Sequence, residues 1–335
     1  MARYHNASYA SIPNSIVPDP PFRLEKALFF NFLIACDRDK LNRLIDERLN
    51  KVSGFNLQFE AISPWISVIF ALYPAAYPIR GKEQAGYVPY REVVFMTMVR
   101  EKKPFWARSG SVHTYQPAII LDENVAATTG REIFGWPKVQ GELFFPEIDG
   151  EQQRNFLCTA TTFTGKGGPD SLAVKQPFIE IETPPQFGFP DLGQHLHSDP
   201  EGLIEKYVAQ SIESERNISL DLRGMVAKIH RMPVVTFRQF PDPQSPKNAL
   251  SQSVIRTYQK NITITNGGIL PGDYHIKQLI NTRTFPLKSM LGLSPRMLAA
   301  YWFEWSFEIH RGEVLWNASG SRLPWFGSFF DELFP

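Results

Sequence analysis

One short stretch of the chain guides the interpretation of the rest: residues 130–138 have the sequence GREIFGWPK. Its last residue, Lys138, is the single lysine of a segment that is largely aromatic and apolar from Phe134 to Val139. By base rate, a lysine is a solvated surface residue. Here Pro137 fixes the backbone just before the lysine, and apolar groups adjoin it on both sides. We therefore predict a buried amine, and burial favours the neutral, nucleophilic form of an amine.

The composition around this stretch is that of a globular chain without a long-range electrostatic partner. The 335 residues include 35 Lys and Arg against 34 Asp and Glu, which gives a formal net charge of +1, and 43% of them are hydrophobic. These values exclude a disordered, collagen-like or disulfide-framework protein. The densest basic run, at residues 100–103, is interrupted by Glu101. We therefore expect no nucleic-acid partner.

The sequence also argues against a membrane partner. Residues 61–79 are uncharged and about long enough to cross a bilayer, but Pro64, Pro74 and Pro78 would break a helix there. We predict core strands in this segment. The first 20 residues have no cationic start followed by an apolar stretch, as a secretory signal would. The expected location is therefore the cytoplasm.

The pattern of apolar residues predicts an α+β fold that is mainly an antiparallel sheet or barrel with peripheral helices. From residue 65 to residue 120, short apolar or alternating runs are separated by Pro, Gly and charged turns. A hairpin is expected over 144–163. Helical spacing follows Asp37, which is a good helix cap, and recurs over residues 200–213.

We predict one large domain with additions. Residues 1–21 are polar and contain proline, so they are expected to form an N-terminal arm. The domain proper is expected over 22–317, with a helical insertion near 190–228. Residues 318–335 form an aromatic C-terminal tail, which must dock on its own chain or on another subunit.

The remaining motifs do not indicate a metal or an organic cofactor. Cys36 and Cys158 are too few for a thiolate site and are expected to be buried small hydrophobes. His195 and His197 share a strand-like spacing, but no third ligand is placed with them. The glycine-rich residues 165–168 lack the spacing of a phosphate-binding loop.

Three segments together resemble the acetoacetate decarboxylase family. Residues 130–138 look like its active-site strand, in which the lysine after the proline forms a Schiff base with a ketone substrate. Gly86-Tyr87 and Tyr90-Arg91-Glu92 resemble the family segment that ends in a catalytic glutamate, and residues 121–123 also fit. Weaker similarity covers about residues 22–316. The resemblance implies an antiparallel β-barrel or cone.

The chain departs from the family pattern at three positions. The family decarboxylases typically have a second lysine directly after the Schiff-base lysine, and Val139 stands there. A further acidic position of the family falls on Val68, and its substrate-binding arginine falls near Ala27. These departures leave imine chemistry open, because burial alone can activate an amine. They make acetoacetate itself an unexpected substrate.

The resemblance and the surrounding residues suggest a role for each candidate. Lys138 would be the nucleophile and Glu92 the general acid–base; the alternative for Glu92 is an exposed carboxylate paired with Arg91. Arg131 would bind a substrate carboxylate, with a structural role as the equal alternative. The other substrate-binding candidates, for which packing or surface roles are the alternatives, are Tyr90, Phe134, Trp136, Arg238 and Gln239.

These roles leave three functions open. The first is a decarboxylase-like carbon–carbon lyase that acts on a keto acid through a lysine imine. The second is an aldolase, dehydratase or cyclase that acts on a 2-oxo acid through the same lysine. The third is a barrel that binds an apolar keto compound without turnover. The family resemblance also predicts a homo-oligomer.

Overall fold

The computed structural model describes residues 17–79, 86–103, 110–149, 153–163, 171–190, 198–213, 228–282, 285–295 and 297–318. Within these ranges the protein is built on one large sheet with four short α-helices at its periphery. None of the helices in this part of the chain has the length and apolar character that a bilayer span requires.

Fourteen strands form the sheet in the described ranges. In chain order they are β1 (Phe22–Ala35), β2 (Phe59–Ala61), β3 (Trp65–Pro78), β4 (Val88–Glu101), β5 (Val112–Leu121), β6 (Lys138–Phe144), β7 (Phe156–Phe163), β8 (Ala173–Glu182), β9 (Val234–Pro241), β10 (Ala249–Thr257), β11 (Gln259–Ile269), β12 (His275–Leu279), β13 (Met297–Ile309) and β14 (Glu313–Asn317).

The strand pairing confirms the predicted antiparallel character. The main path of neighbours is β11-β13-β1-β3-β4-β5-β6-β7-β8-β12, and β2, β9, β10 and β14 branch from it. Only the contacts of β5 with β6 and with β9 are parallel among the described pairs. The path is open because its end strands, β11 and β12, are not paired with each other. The term barrel therefore describes this sheet only loosely.

Each face of the sheet supports a separate hydrophobic core. Successive side chains of a strand point to opposite faces, so Val68 and Phe70 of β3 belong to a first core, while Ile69, Ala71 and Tyr73 belong to a second. Helices cover both faces, as a sheet with two apolar sides requires. They are α1 (Arg38–Ile45), α2 (Asn124–Phe134), α3 (Pro200–Ser211) and α4 (Leu287–Leu291), with a π-helical turn at Asp46–Asn50 and a 3-10 turn at Ile229–Arg231.

The helix predicted after β1 is present and begins where its cap residue indicates. The Asp37 side chain accepts hydrogen bonds from the backbone N–H groups of Asp39 and Lys40. Leu41, Leu44 and Ile45 are buried in the first core. The capping aspartate and the helical spacing were therefore sufficient signals here.

The prediction of a strand over residues 130–138 is wrong for most of this segment. Residues up to Phe134 belong to α2, and the strand begins only at Lys138. The helix starts at a cap in which Glu123 accepts a hydrogen bond from the N–H of Ala126 at 2.7 Å. It ends at Gly135, whose φ of 70° lies in the left-handed region where a side chain would add strain. The strand was implied by the resemblance of this segment to the family.

The predicted domain boundaries remain predictions. The described strands begin at Phe22 and end at Asn317. Within the expected insertion, α3 packs Ile204 and Val208 into the second core. Most of the N-terminal arm, nearly all of the C-terminal tail and much of the expected insertion, residues 191–197 and 214–227, lie outside the described residues, as do His195, His197 and the glycine-rich segment.

A buried histidine in β5 links folding to pH. His113 is fully buried, its Nε2 lies 2.7 Å from Ser111 Oγ, and its ring meets the Phe59 ring edge-on at 5.9 Å. Burial, with a smaller effect of the Arg256 charge, lowers the pKa of His113 to about 4. The unfolded chain, whose histidines have a pKa near ~6.5, binds a proton there between about pH 6.5 and pH 4, and the folded chain does not.

We therefore expect the free energy of unfolding to fall as the pH falls through that window. From pH 7 to pH 5, the contribution of His113 to this loss is about 2 kcal/mol. Urea titrations at both pH values should show that His113→Gln has a correspondingly weaker pH dependence than the wild type. The exposed His275→Gln variant is the control and should behave like the wild type. An unchanged pH dependence in His113→Gln would contradict this assignment.

Candidate active site

The end of α2 and the start of β6 fix the position of Lys138. After Gly135, the chain passes through Trp136 and Pro137 and joins the sheet at Lys138, which pairs in parallel with Ile119 of β5. The Trp136 N–H donates to the Gly130 carbonyl at 3.0 Å, and the Lys138 N–H donates to the Trp136 carbonyl at 2.7 Å. This compact turn directs the lysine into the sheet rather than towards solvent.

Lys138 and Glu92 form a buried ion pair. The Lys138 residue is only 4% exposed and Glu92 6%, and Nζ lies 3.1 Å from Glu92 Oε2. Glu92 reaches this position from β4, two strands away from β6 in the sheet. Two charges are therefore held against each other where water is largely excluded, and such an arrangement requires further polar support.

Two tyrosines provide part of that support. The Tyr73 hydroxyl donates to the other Glu92 oxygen, Oε1, at 2.7 Å. The Tyr73 ring stacks on the Tyr90 ring with centroids 4.4 Å apart. Burial, reinforced by the charge of Glu92, raises the pKa of both phenols well above 10. Both tyrosines therefore remain protonated near neutral pH, and Tyr73 is a permanent donor to the carboxylate.

Aromatic rings contact the lysine from two sides. Nζ lies 5.3 Å from the Tyr90 ring centroid and 5.1 Å from that of Trp136, distances at which a ring face stabilises a cation. Phe134 is buried and stacks on Trp136 at 4.7 Å, so it supports the wall from behind. The stem of Lys138 packs on Gly130, where a Cβ would come within 2.6 Å of the lysine Cδ.

The Lys138 amine and Glu92 line a small cavity, which we call the Lys138 cavity. It encloses about 50 Å³ of free space, which makes it a site for a small molecule. Among the described residues, no arginine lines it. Its polar or titratable lining residues are Tyr73, Tyr90, Glu92, Thr114, Gln116, Trp136, Lys138, His230, Gln259 and Trp305.

Several of these residues were not predicted from the sequence. Tyr73, His230, Gln259 and Trp305 come from four separate segments, and nothing in the local sequence of each indicates a shared site. Three buried polar atoms on the cavity wall have no hydrogen-bond partner within the described part of the chain. They are Trp136 Nε1, Gln259 Oε1 and Trp305 Nε1.

The predicted substrate-binding residues separate into two groups. Tyr90 and Trp136 line the Lys138 cavity with Lys138 and Glu92. Arg131, Arg238 and Gln239 do not line this cavity; they line an adjoining groove of about 430 Å³ to which Arg48 also contributes. We call it the arginine groove. Trp136 and Gln116 line both spaces and thus form the boundary between them. Arg131 and Arg48 also share a further space of about 410 Å³ with Lys138.

Arg238 has a clear structural contact. Its Nη1 donates to the Glu132 carbonyl at 3.2 Å and to the Ile133 carbonyl at 3.5 Å, at the C-terminal end of α2. A guanidinium at this position satisfies the last helix carbonyls and complements the helix dipole. The backbone of Arg238 also approaches Gly135 so closely that a Cβ there would lie 2.8 Å from its Cα. The residue thereby fixes the turn that precedes Lys138.

The alternative environment for Glu92 is wrong. Glu92 is neither exposed nor paired with Arg91; the Arg91 side chain points to the opposite face and binds Asp149 at 2.7 Å.

Two of the positions that depart from the family pattern do not line the cavity. Val68 is buried in the first core, and its neighbour Ile69 lines the cavity from β3. On β1, Ala27 is buried in the second core, and Phe29 lines the cavity. The placement of the family positions on Val68 and Ala27 stays a prediction.

The described residues contain no cluster of three or more His, Cys, Asp or Glu side chains arranged to hold a metal ion.

The segment of the chain that contains both residues of the ion pair matches the sequence model of a known family. Residues 8–166 match the model of the acetoacetate decarboxylase family, and this segment includes both Glu92 and Lys138. Residues 8–166 are therefore acetoacetate decarboxylase-like in sequence. No curated protein sequence matches this chain at a significant level.

Solved structures show the same fold over nearly the whole chain. The acetoacetate decarboxylase of Legionella pneumophila subsp. pneumophila str. Philadelphia 1 is 16% identical with a TM-score of 0.59, and the match covers 94% of each chain. The enduracididine biosynthesis enzyme MppR, in complex with pyruvate, is 12% identical with a TM-score of 0.54 over 90% of this chain and 92% of that one. An acetoacetate decarboxylase-like enzyme from Sphingomonas wittichii RW1 is 11% identical, with a TM-score of 0.52 over 90% and 94%.

The ion pair itself can be tested by its energetics. Lys138→Met or Glu92→Gln alone leaves one buried charge without its partner, so each should lower the free energy of unfolding by roughly 3–5 kcal/mol. The double variant carries neither charge and should recover most of this loss. Urea unfolding of the four proteins measures the coupling. The same cycle on Lys175 and Glu142, which are half exposed, is the control and should give at most about 1 kcal/mol. Additive effects at the buried pair would contradict the contact.

The absence of a side chain at Gly130 is expected to be required by the aliphatic stem of Lys138, which packs against it. Glycine in a helix is usually improved by alanine, but Gly130→Ala should here cost roughly 1–3 kcal/mol because the new methyl group overpacks Lys138. In a Lys138→Ala background this cost should disappear. Gly188→Ala, where a Cβ meets no atom within 4 Å, is the matched control. Equal costs in both backgrounds would show that another contact is responsible.

Proposed function

We propose that the protein is a carbon–carbon lyase that forms a Schiff base between Lys138 and a small keto acid. The observation that carries the proposal is the buried amine, 3.1 Å from a carboxylate at the wall of a small aromatic cavity. An imine-forming lysine needs a proton acceptor to become nucleophilic and an acid to expel water. Glu92 is within hydrogen-bond distance for both tasks.

The proposed sequence of steps balances protons and electrons. Glu92 accepts a proton from the Lys138 ammonium, and the neutral amine adds to the substrate carbonyl. Glu92 then returns the proton to the hydroxyl of the carbinolamine, which leaves as water and gives an iminium ion. The iminium accepts the electron pair of the carbon–carbon bond that breaks, and the resulting enamine is protonated on carbon. Water then adds to the product iminium, which releases the carbonyl product and regenerates the amine of Lys138.

Tyr73 and the aromatic walls have supporting roles in this scheme. The Tyr73 hydroxyl orients Glu92 and stabilises its anionic form through the 2.7 Å hydrogen bond. The faces of Tyr90 and Trp136 stabilise the positive charge when it passes from the ammonium to the iminium. Val139, where the family decarboxylases typically have a second lysine, contributes no charge. Activation of the amine would thus depend on burial and on proton transfer to Glu92.

The cavity also suggests how the substrate is recognised. The unpartnered N–H groups of Trp136 and Trp305 can donate to a substrate oxygen. The positive iminium itself offsets one carboxylate, whereas a second carboxylate would have no cation on the described cavity wall. A small monocarboxylic keto acid therefore fits better than a dicarboxylic one. The structural neighbour MppR has been obtained in complex with pyruvate, a compound of this class.

Borohydride trapping tests the imine directly. We expect pyruvate or acetoacetate with borohydride to add the mass of one reduced adduct to the wild type, and peptide mapping to place it at Lys138. Lys138→Met should give no adduct, and Glu92→Gln should trap at least about 100-fold more slowly, as the loss of a general acid–base implies. Lys175→Met, on the surface, is the control.

Two results would contradict the proposal: no adduct with any keto acid, or an adduct that persists in Lys138→Met. The first would leave a protein that binds a keto compound without turnover. Release of carbon dioxide from acetoacetate would identify decarboxylation as the step that follows imine formation.

A further inference from the structure

A histidine that the steps above do not use lines the Lys138 cavity. His230 lies on the 3-10 turn Ile229–Arg231 and is 8% exposed. Its ring packs 5.3 Å from the Phe303 ring and 5.4 Å from the Trp305 ring, centroid to centroid. His230 and Lys138 line the same small cavity, of about 50 Å³.

A carboxylate from α3 stands behind this histidine. His230 Nε2 lies 3.8 Å from Glu201 Oε1, within ion-pair range. Arg231 donates two hydrogen bonds to Glu201, from Nε and Nη2, each 2.6 Å long. These bonds hold the pKa of Glu201 below its ordinary value, so it is a carboxylate at neutral pH. A fixed negative charge at this distance stabilises the imidazolium that forms when the histidine accepts a proton.

We propose that His230 is a second catalytic acid–base group of the Lys138 cavity, that it acts on a substrate oxygen away from the imine, and that the reaction is an aldol cleavage or addition on a small 2-oxo acid. This inference rests on the proposed imine at Lys138. It goes further because it distinguishes decarboxylation from aldol cleavage or addition, the two reactions that such an imine can serve.

The chemistry of the two reactions explains the assignment. Loss of carbon dioxide from an imine needs no base at the leaving group, because the carboxylate already carries the electron pair that becomes the second C=O bond. Aldol cleavage instead requires removal of the proton from a β-hydroxyl group. Glu92 is occupied at the imine nitrogen, where it contacts Nζ. A separate base on another wall meets the remaining requirement.

The step balances in both directions. In cleavage, His230 removes the hydroxyl proton, the O–H electron pair forms the aldehyde C=O, and the adjoining C–C bond breaks. Its electron pair forms the enamine C=C and neutralises the iminium nitrogen. In addition, the enamine carbon attacks the aldehyde, and protonated His230 gives its proton to the new alkoxide. No oxidant, reductant or further reactant is needed.

The neighbourhood of His230 defines how a pH profile should be interpreted. The titratable or charged side chains around it come from α3, from its own turn and from the cavity wall. Among the described residues they are Glu201, Arg231 and Lys228, whose Nζ pairs with Glu205 at 3.6 Å, together with Tyr73, Tyr90, Glu92 and Lys138 across the cavity.

The test compares imine formation with turnover in His230→Gln. With the aldol of pyruvate and acetaldehyde as substrate, kcat should fall about 100-fold, and the limb of the pH profile that reports the histidine should be lost. Pyruvate trapping at Lys138 by borohydride should remain within about twofold of the wild type, which also shows that the variant is folded. Glu201→Gln removes the charge behind His230; it should lower kcat by a smaller factor and move that limb to lower pH. The exposed His275→Gln variant is the control and should match the wild type.

Each other outcome has a definite meaning. Aldol turnover with an unchanged pH profile in His230→Gln overturns the inference while leaving the imine intact. Loss of trapping in that variant also overturns it, because His230 would then maintain the cavity rather than move a proton. A wild type that releases carbon dioxide from acetoacetate but does not cleave the aldol assigns decarboxylation instead. Failure of the wild type to trap any keto acid overturns the imine and, with it, the role of His230.

Discussion

The contact between Lys138 Nζ and Glu92 is the constraint on which the arrangement of the site depends. Two buried charges are costly to desolvate, and their mutual attraction offsets that cost only when the geometry is good and the remaining lone pairs are satisfied. The surrounding structure meets both conditions. Tyr73 donates to the second carboxylate oxygen, and aromatic faces lie next to the ammonium. Since apolar residues of similar size would stabilise such a core equally well, the presence of the pair is better explained by chemistry than by stability.

The position of the pair follows from how distant segments meet in the sheet. Glu92 comes from a long antiparallel strand, whereas Lys138 begins a strand that runs parallel to its neighbour after a helical crossover. The left-handed glycine at residue 135 and the guanidinium of Arg238 at the helix end determine where that crossover returns. Part of the geometry around Lys138 is therefore fixed by a helix terminus outside the cavity.

The sequence was informative where a signal is local and failed where the signal depends on register. Asp37 and the spacing of Leu41, Leu44 and Ile45 identified a helix correctly, because a cap and its helix are adjacent in the chain. The motif ending at Lys138 identified a lysine that the fold buries, but the strand implied by its resemblance to the family is a helix up to Phe134. The face of β3 on which Val68 lies could not be predicted, because it depends on the register of the strand. His230 and Trp305 could not be found, because only the folded sheet brings them to the same wall.

The two cores on opposite faces have a consequence for how such a protein can diversify. Residues of the same strand alternate between them, so Phe70 and Phe95 belong to one core while Ile69, Tyr73 and Val94 belong to the other. The first core contains the fully buried phenylalanines of β1, β3, β4, β7 and β8 and packs on α1 and α4. The second contains the cavity. The even-numbered residues of β3 therefore pack in the scaffold core. The odd-numbered residues belong to the core that contains the cavity and thus influence which ligand fits. Substitutions at one parity can alter which small molecule fits without disturbing the packing that keeps the sheet folded, and a lineage built on this sheet can explore new substrates at little risk to its stability.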